Sequence, residues 1–262
     1  MMNKVNTREL ILEILLEINR EGRYSHLVIR STLEKYQYLE KQERAFITRV
    51  CEGTLEYRLR LDYIIDQFAT VPAEKMKPVI RELLRSSVYQ LLYMDNVPDS
   101  AVCNEAVKLA RKKGFYNLTG FVNGVLRKIA REYGSIRFPG KDKPVEYLSV
   151  IYSMPKWLTE RFLEEYGFET TEKILEAFLE ESPTTVRIRE YQVEEDAVLE
   201  SLKEEGVETE PAPYVKRAYY LKGYDYLPAL KAFRMGSLQV QDVSSMLVGE
   251  AANPKEGDYV ID

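Results

Sequence analysis

Apolar positions recur with a helical period through nearly all of the first half of the chain. Leu10, Ile11, Ile14, Leu15 and Ile18 form one stripe, which predicts a helix from about Thr7 to Asn19 with Gly22 as its stop. A shorter pattern covers Ser25–Lys35, and further helical patterns cover Lys41–Thr54 and Glu56–Phe68. After Pro72 the stretch Met76–Tyr93 presents Val79, Leu83, Leu84, Val88, Leu91 and Leu92. Pro98 precedes a helix over Asp99–Lys113, with Ala101, Val102, Ala106, Leu109 and Ala110 inward and Gly114 at its end. The last pattern, Asn117–Tyr133, places Phe121, Val122, Val125, Leu126 and Ile129 on one side. Each stripe has to be covered by the others, so a compact bundle is expected.

The rhythm breaks at Gly134–Pro144, a stretch of Gly, Pro and charge that marks a boundary. Two helical segments follow, one opened by Pro155-Lys156-Trp157-Leu158 and closed by Gly167, the other over Thr170–Leu179. Thr184-Thr185-Val186-Arg187-Ile188-Arg189 then alternates as a half-buried strand, followed by a helix over Glu194–Glu205 and a stop at Gly206. Strands are expected near Val207–Glu210 and Val215–Leu221, extended chain at Ser237–Gln241 and a helix at Ser244–Ala252. Pro254-Lys255-Glu256-Gly257 turns into a final apolar run, Tyr259-Val260-Ile261, that ends on Asp262. A short strand ending in an acid often opens a doubly wound domain, whose ligand lies beyond the strand ends. The domains expected are 1–138 (bundle), 139–182 (helical linker region), 183–236 (small α/β unit) and 237–262, the start of a larger domain broken off at its first strand.

Composition narrows the chemistry. Cys51 and Cys103 are the only cysteines and His26 the only histidine, too few for a disulfide framework or a Cys/His zinc site, so no metal is expected. No run approaches 18 apolar residues and no signal segment opens the chain, so a cytoplasmic protein is expected. Residues 1–138 carry 23 Lys/Arg against 17 Asp/Glu, a net of +6, whereas residues 139–262 carry 14 against 25, a net of −11. The basic half can attract nucleic acid; the acidic half should repel it except where cations gather.

The densest cations are Arg111-Lys112-Lys113, with Arg127, Lys128, Arg131 and Arg137. If the two helix ends that carry them meet, they could hold phosphates without reading bases. The alternative is a solvated face with cations near helix C-termini. Asn104-Glu105 and Asn123-Gly124 could touch a ligand, or Gly124 could permit close helix packing. Tyr214, Tyr219, Tyr220, Tyr224 and Tyr226 could stack bases, or simply pack a small sheet. In Gln239-Val240-Gln241-Asp242-Val243-Ser244-Ser245, Asp242 can cap the next helix and either serine can bond helix-end amides. Cys51 and Cys103 sit among apolar residues as ordinary buried thiols, and His26 has no partner that would make it a catalytic base.

Leu84-Arg85-Ser86-Ser87-Val88-Tyr89-Gln90-Leu91-Leu92-Tyr93, Asn104-Glu105-Ala106-Val107 and Phe121-Val122-Asn123-Gly124-Val125-Leu126-Arg127 resemble the RNA-binding helical domain of the antitermination factor NusB. The same helices occur at the N-terminus of the RsmB (Sun) family, which methylates carbon 5 of a cytosine in 16S ribosomal RNA. Pro155-Lys156-Trp157-Leu158, Glu165-Tyr166-Gly167, Val186-Arg187-Ile188, Gln241-Asp242-Val243-Ser244-Ser245 and Pro254 to Asp262 are similar to that second family. Arg187-Ile188-Arg189 departs from its common Arg-Val-Asn, so an asparagine contact is lost or replaced by Arg189 on phosphate. The resemblance implies a NusB-like bundle, a helical linker, a small RRM-like α/β domain and the first strand of a Rossmann-like methyltransferase domain. It also implies S-adenosylmethionine as cofactor of the full-length protein, 16S rRNA as partner, a monomer, and catalytic cysteines other than Cys51 and Cys103. RNA contact is expected from Arg111, Lys112, Lys113, Arg127, Lys128, Arg131, Arg187 and Arg189, and Gln241, Asp242, Ser244, Ser245 and Asp262 are expected beside the cofactor. The alternatives are a stand-alone NusB-like antitermination factor and a methyltransferase relative acting on tRNA or another RNA.

Overall fold

The structure, a computed structural model, describes residues 5–180, 182–189 and 194–261. The chain divides into two compact units, Met1–Leu179 and Glu180–Asp262. The first is all helical: α1 (Thr7–Glu21), α2 (Ser25–Lys35), α3 (Lys41–Glu56), α4 (Arg58–Phe68), α5 (Pro78–Tyr93), α6 (Asp99–Lys112), α7 (Thr119–Glu132), α8 (Pro144–Ile151) and α9 (Lys156–Ala177). Gly22 ends α1 in the left-handed region at φ 68°, where its N–H donates to the Ile18 carbonyl, as a C-terminal glycine does. α5 starts at Pro78 rather than Met76, because proline suits a first turn and a single 3-10 turn at Ala73–Lys75 precedes it.

α5 is the axis of this unit and packs against α1, α3, α4, α6 and α7. Leu84 and Val88 are fully buried beside Leu12 and Leu15 of α1, Ile47 and Val50 of α3, and Leu126 and Ile129 of α7. Each such side chain contributes on the order of 1.5–3 kcal/mol of burial. α5 also carries charge inward. The Arg85 guanidinium donates to Asp62 of α4 at 2.7 Å and to Glu82 at 2.7 Å, and Asn19 of α1 donates to Glu82 at 3.0 Å. Burial lifts the Glu82 carboxyl above its ordinary range, against the pull of Arg85 and Arg81.

The linker helices close on the same unit. α8, at eight residues too short to show a period in the sequence, packs against α4. Ser153, at φ 55°, accepts the Leu59 N–H at 3.0 Å and so caps the start of α4 from a distant part of the chain. Gly167 breaks α9 at φ 71°, so that segment is two helices in tandem.

The second unit contains β1 (Thr184–Ile188), α10 (Glu195–Glu204), β2 (Glu208–Pro211), β3 (Ala218–Lys222), α11 (Lys231–Arg234), β4 (Leu238–Val240) and α12 (Val243–Ala252). The sheet runs β2-β3-β1-β4 with every pair antiparallel, the split β-α-β order. One face, with Val186, Ile188, Leu221 and Leu238, packs on Val198 and Leu202 of α10 and on Leu230 and Ala232. The other places Ala218 against Met246 of α12, with Ala212 and Val215. Residues 237–252 therefore complete this sheet and cover it. The strand expected at Tyr259-Val260-Ile261 is not formed: those residues are exposed and pair with no described strand. A lone apolar run has no ladder to join.

Candidate nucleic-acid interface

α6 and α7 form a tightly packed hairpin joined by a single 3-10 turn at Tyr116–Leu118. The connection is short, so the helices run antiparallel. Arg127 lies eight residues past the start of α7, so it stands about 12 Å from the turn, level with the first half of α6. The two basic clusters therefore do not meet. Arg111-Lys112-Lys113 sits at the turn end, and the level of Arg127 is about 12 Å further along the α6 axis, with Arg131 about 18 Å away.

The clusters also differ in what surrounds them. Lys112 donates to Glu9 of α1 at 2.5 Å, and Lys113 contacts Glu9 at 3.0 Å and Glu13 at 2.9 Å. The Lys112 hydrogen bond holds the Glu9 carboxyl below its ordinary range, and Glu13 and Glu9 raise Lys113 against the effect of burial. At the other end, Arg127 donates to the neutral Asn123 amide at 2.9 Å, and Lys128 lies 5.6 Å from the Phe68 ring centroid. Arg131 and Arg111 are exposed and have no ion pair among the described residues. Asn123 thus serves to orient Arg127. A Cβ on Gly124 would meet nothing within 4 Å, so close helix packing is not the reason for that glycine.

In the second unit Arg187 extends from β1 towards Glu250 of α12 at 3.6 Å, and exposed Arg189 follows the strand, its N–H bonded to the Ser237 carbonyl at 3.1 Å. The tyrosines do not make one stacking platform. Tyr219 and Tyr224 pack with the helix-covered face, Tyr220 packs with the Met246 face, and Tyr214 points into solvent at 87% exposure. The Tyr219 hydroxyl donates to Glu195 at 2.7 Å, which, with burial, pushes its pKa up to about 12.

The residues expected beside a cofactor lie along β4 and the start of α12. The Gln241 N–H donates to the Thr185 carbonyl at 3.1 Å; Asp242 occupies the N-cap position by its backbone, and its side chain makes no cap bond. Ser244 and Ser245 are exposed, and Asp262 lies outside the described residues. The buried polar side-chain atoms without a partner among the described residues belong to Thr54, Arg60, Tyr93 and Thr171, all in the first unit. The side chains of Asp242, Ser244 and Ser245 are all exposed to solvent.

Both thiols are buried, and burial raises both pKa values. His26 is exposed and its ring lies 5.9 Å from that of Tyr24. Among the described residues no group of three His, Cys, Asp or Glu side chains could hold a metal, and no helix is long and apolar enough to cross a membrane. One cluster escaped the sequence: Tyr57, Tyr89 and Tyr93 stack at 4.6–6.3 Å, with Arg60 over Tyr93 and Phe138. Tyr89 and Tyr93 are four apart on α5, but Tyr57 joins them from the junction of α3 and α4, which no local pattern records.

The profile of the NusB family matches residues 5–131, and that of the RsmF/B-like methyltransferase ferredoxin-like domain matches residues 154–224. The probable ribosomal RNA small subunit methyltransferase B of Bacillus subtilis (strain 168) is 35% identical over 100% of this chain and 58% of its own length. The protein of the same name from Synechocystis sp. (strain ATCC 27184 / PCC 6803 / Kazusa) is 30% identical over 98% of this chain and 58% of its own. The chain thus spans somewhat over half the length of the curated relatives it matches. The crystal structure of PH0851 shares the fold, with a TM-score of 0.73 at 20% identity, over 97% of this chain and 57% of that one.

Proposed function

For a chain that joins a NusB-like domain to an RsmF/B-like ferredoxin-like domain and is homologous to RsmB-family rRNA methyltransferases, we propose the role of holding RNA for methylation of a cytosine at carbon 5 in 16S rRNA. The observation that carries the reading is the order of the two domains on one chain. An antitermination factor needs only the helical unit, whereas here a second unit follows, matched by a methyltransferase-family profile.

Exposed cations of the helical unit bind the phosphate backbone and orient it without reading bases. Arg187 and Arg189 of the second unit are proposed as further phosphate contacts in their own right. In the full-length protein S-adenosylmethionine supplies the methyl group. Carbon 5 of cytosine becomes reactive once a thiolate adds at carbon 6, and such a thiolate needs an accessible, acidified cysteine. Cys51 and Cys103 are buried with raised pKa values, so residues 5–261 hold the substrate and do not attack it.

Purified chain 1–262, mixed with labelled S-adenosylmethionine and unmodified 16S rRNA, is expected to bind the RNA in a salt-dependent manner and to transfer no methyl group. Transfer by this chain would overturn the division of labour. Binding that is absent or independent of salt would overturn the RNA-holding role.

A further inference from the structure

Two cation clusters of similar sequence stand at the two ends of the α6–α7 hairpin, and only one is met by carboxylates. At the turn end, Glu9 takes Lys112 at 2.5 Å and Lys113 at 3.0 Å, and Glu13 takes Lys113 at 2.9 Å. These residues are about 100 positions apart in the chain, so the ion pairs also fasten α1 to the end of α6. Lys113 and Glu9 are both partly buried, with side-chain exposures of 24% and 16%, which shields their pair from bulk solvent more than a surface pair. At the far end Arg127 has, among the described residues, only the neutral Asn123 as hydrogen-bond partner, Lys128 rests on an aromatic ring, and Arg131 is exposed on the same side one turn later.

We propose that polyanion contact by the helical unit runs through Arg127, Lys128 and Arg131, and that Glu9 and Glu13 withhold Lys112 and Lys113 from it. The proposal deepens the RNA-holding reading and rests on it for the identity of the polyanion. An ammonium already neutralised by carboxylates offers a phosphate little attraction, and losing it would leave those carboxylates unpaired. To reach it, a phosphate has to displace a carboxylate of equal sign and similar geometry, which gains little. An arginine on a neutral amide has no such competitor and keeps its guanidinium fork for phosphate. Glu9 and Glu13 thereby bound the contact surface on one side and keep the chain from binding RNA along the whole hairpin.

The test uses chain 1–262 with two probes: heparin, as a polyanion of no sequence, and a single-stranded 16S rRNA oligonucleotide followed by fluorescence anisotropy across salt. Lys112→Ala with Lys113→Ala should leave heparin elution and the salt slope unchanged. Lys128→Ala with Arg127→Ala and Arg131→Ala should shift elution to lower salt and reduce the log–log slope by about 2, at about 0.7 per phosphate contact. Glu9→Gln with Glu13→Gln should steepen the slope by about 1.4, a gain that Lys112→Ala with Lys113→Ala then removes. Glu9→Gln alone frees Lys112, which pairs with Glu9 and not with Glu13, and repeats half of this test if the double variant melts early by circular dichroism. Earlier heparin elution from the lysine pair alone overturns the proposal, as does no change when the carboxylates are neutralised. If heparin follows the expected pattern while the wild-type chain ignores the rRNA oligonucleotide, the withholding stands and the rRNA reading fails.

Discussion

Gly53 lies inside α3, where alanine would ordinarily be the better residue by about 1 kcal/mol. The structure gives a reason for the glycine. A Cβ at this position would come within 3.0 Å of Cζ, Cε2 and Oη of Tyr89, closer than side chains approach one another. The ring cannot easily yield. Tyr89 is 6% exposed and stacks on Tyr93 at 5.1 Å, which stacks on Tyr57 at 4.6 Å. Restoring ordinary carbon separations of about 3.5–4 Å requires a displacement of about 1.5–2 Å. Overpacking of this kind costs about 1–3 kcal/mol. The limit is expulsion of the ring, which forfeits about 150–250 Å² of burial, or roughly 4–6 kcal/mol.

Gly53→Ala should therefore destabilise the helical unit by up to about 2 kcal/mol once the propensity gain of about 1 kcal/mol is subtracted from the overpacking cost. Gly124→Ala is the internal control: it is the same change in another helix, with nothing within 4 Å, and should stabilise by about 0.5–1 kcal/mol. Urea unfolding followed at 222 nm reads mainly the helical unit. In a Tyr89→Leu background, which removes the three colliding atoms, Gly53→Ala should become neutral or stabilising, giving a coupling energy from the cycle. Equal stabilisation by the two glycine substitutions would refute the close-approach argument.

Arg85→Met leaves Glu82, buried at 0% exposure, with only Arg81 and Asn19 as side-chain partners among the described residues, and should cost about 3–5 kcal/mol. Burial already holds the Glu82 pKa above its unfolded value, so its favourable contribution is present at low pH and lost as pH rises through the folded pKa. The deficit of the variant should thus be smaller in urea melts at pH 5 than at pH 8; a deficit independent of pH would exclude Glu82 as its source. Ser153→Ala removes the hydroxyl that accepts the Leu59 N–H and should cost about 1 kcal/mol by the same melts, whereas Ser153→Asn should retain most of the stability. For Tyr219, the folded pKa of about 12 exceeds the ordinary value of 10.0, so its contribution is complete below about pH 10 and lost as pH rises towards 12. The difference between tyrosinate titrations of the wild type and Tyr219→Phe should show one group ionising near 12; ionisation near 10 would show that the Glu195 bond is not held in solution.

The bundle was legible because its information is local. The α1 stripe ending at Gly22 and the α5 stripe from Val79 to Leu92 each report their own buried side. The first strand was legible for the same reason, since Val186 and Ile188 alternate with Thr185 and Arg187. Short elements were not: α8 has eight residues and α11 four, and neither holds enough turns to establish a period. β4 looked like the approach to another domain because nothing in Leu238-Gln239-Val240 says which strand it joins. Pairing with Val186, Arg187 and Ile188, some fifty residues earlier, decides that.

The candidate interface shows the same limit more sharply. Arg111-Lys112-Lys113 reads as the strongest cation cluster in the chain because charge density is counted along the sequence. Its availability depends on Glu9 and Glu13, about 100 residues away, and these look like unremarkable solvent-side acids of an amphipathic helix. Gly53 and Gly124 make the parallel case for packing. Gly124 drew attention through its motif and faces open space, whereas Gly53 drew none and sits under a buried ring. In both instances residue type sets what a side chain can do, and long-range neighbours decide whether it does so. Net charge of +6 over 1–138 is therefore a poor measure of affinity for RNA. The relevant quantity is the number of cations that no carboxylate has already taken, and by that measure the far end of the α6–α7 hairpin outranks the turn end.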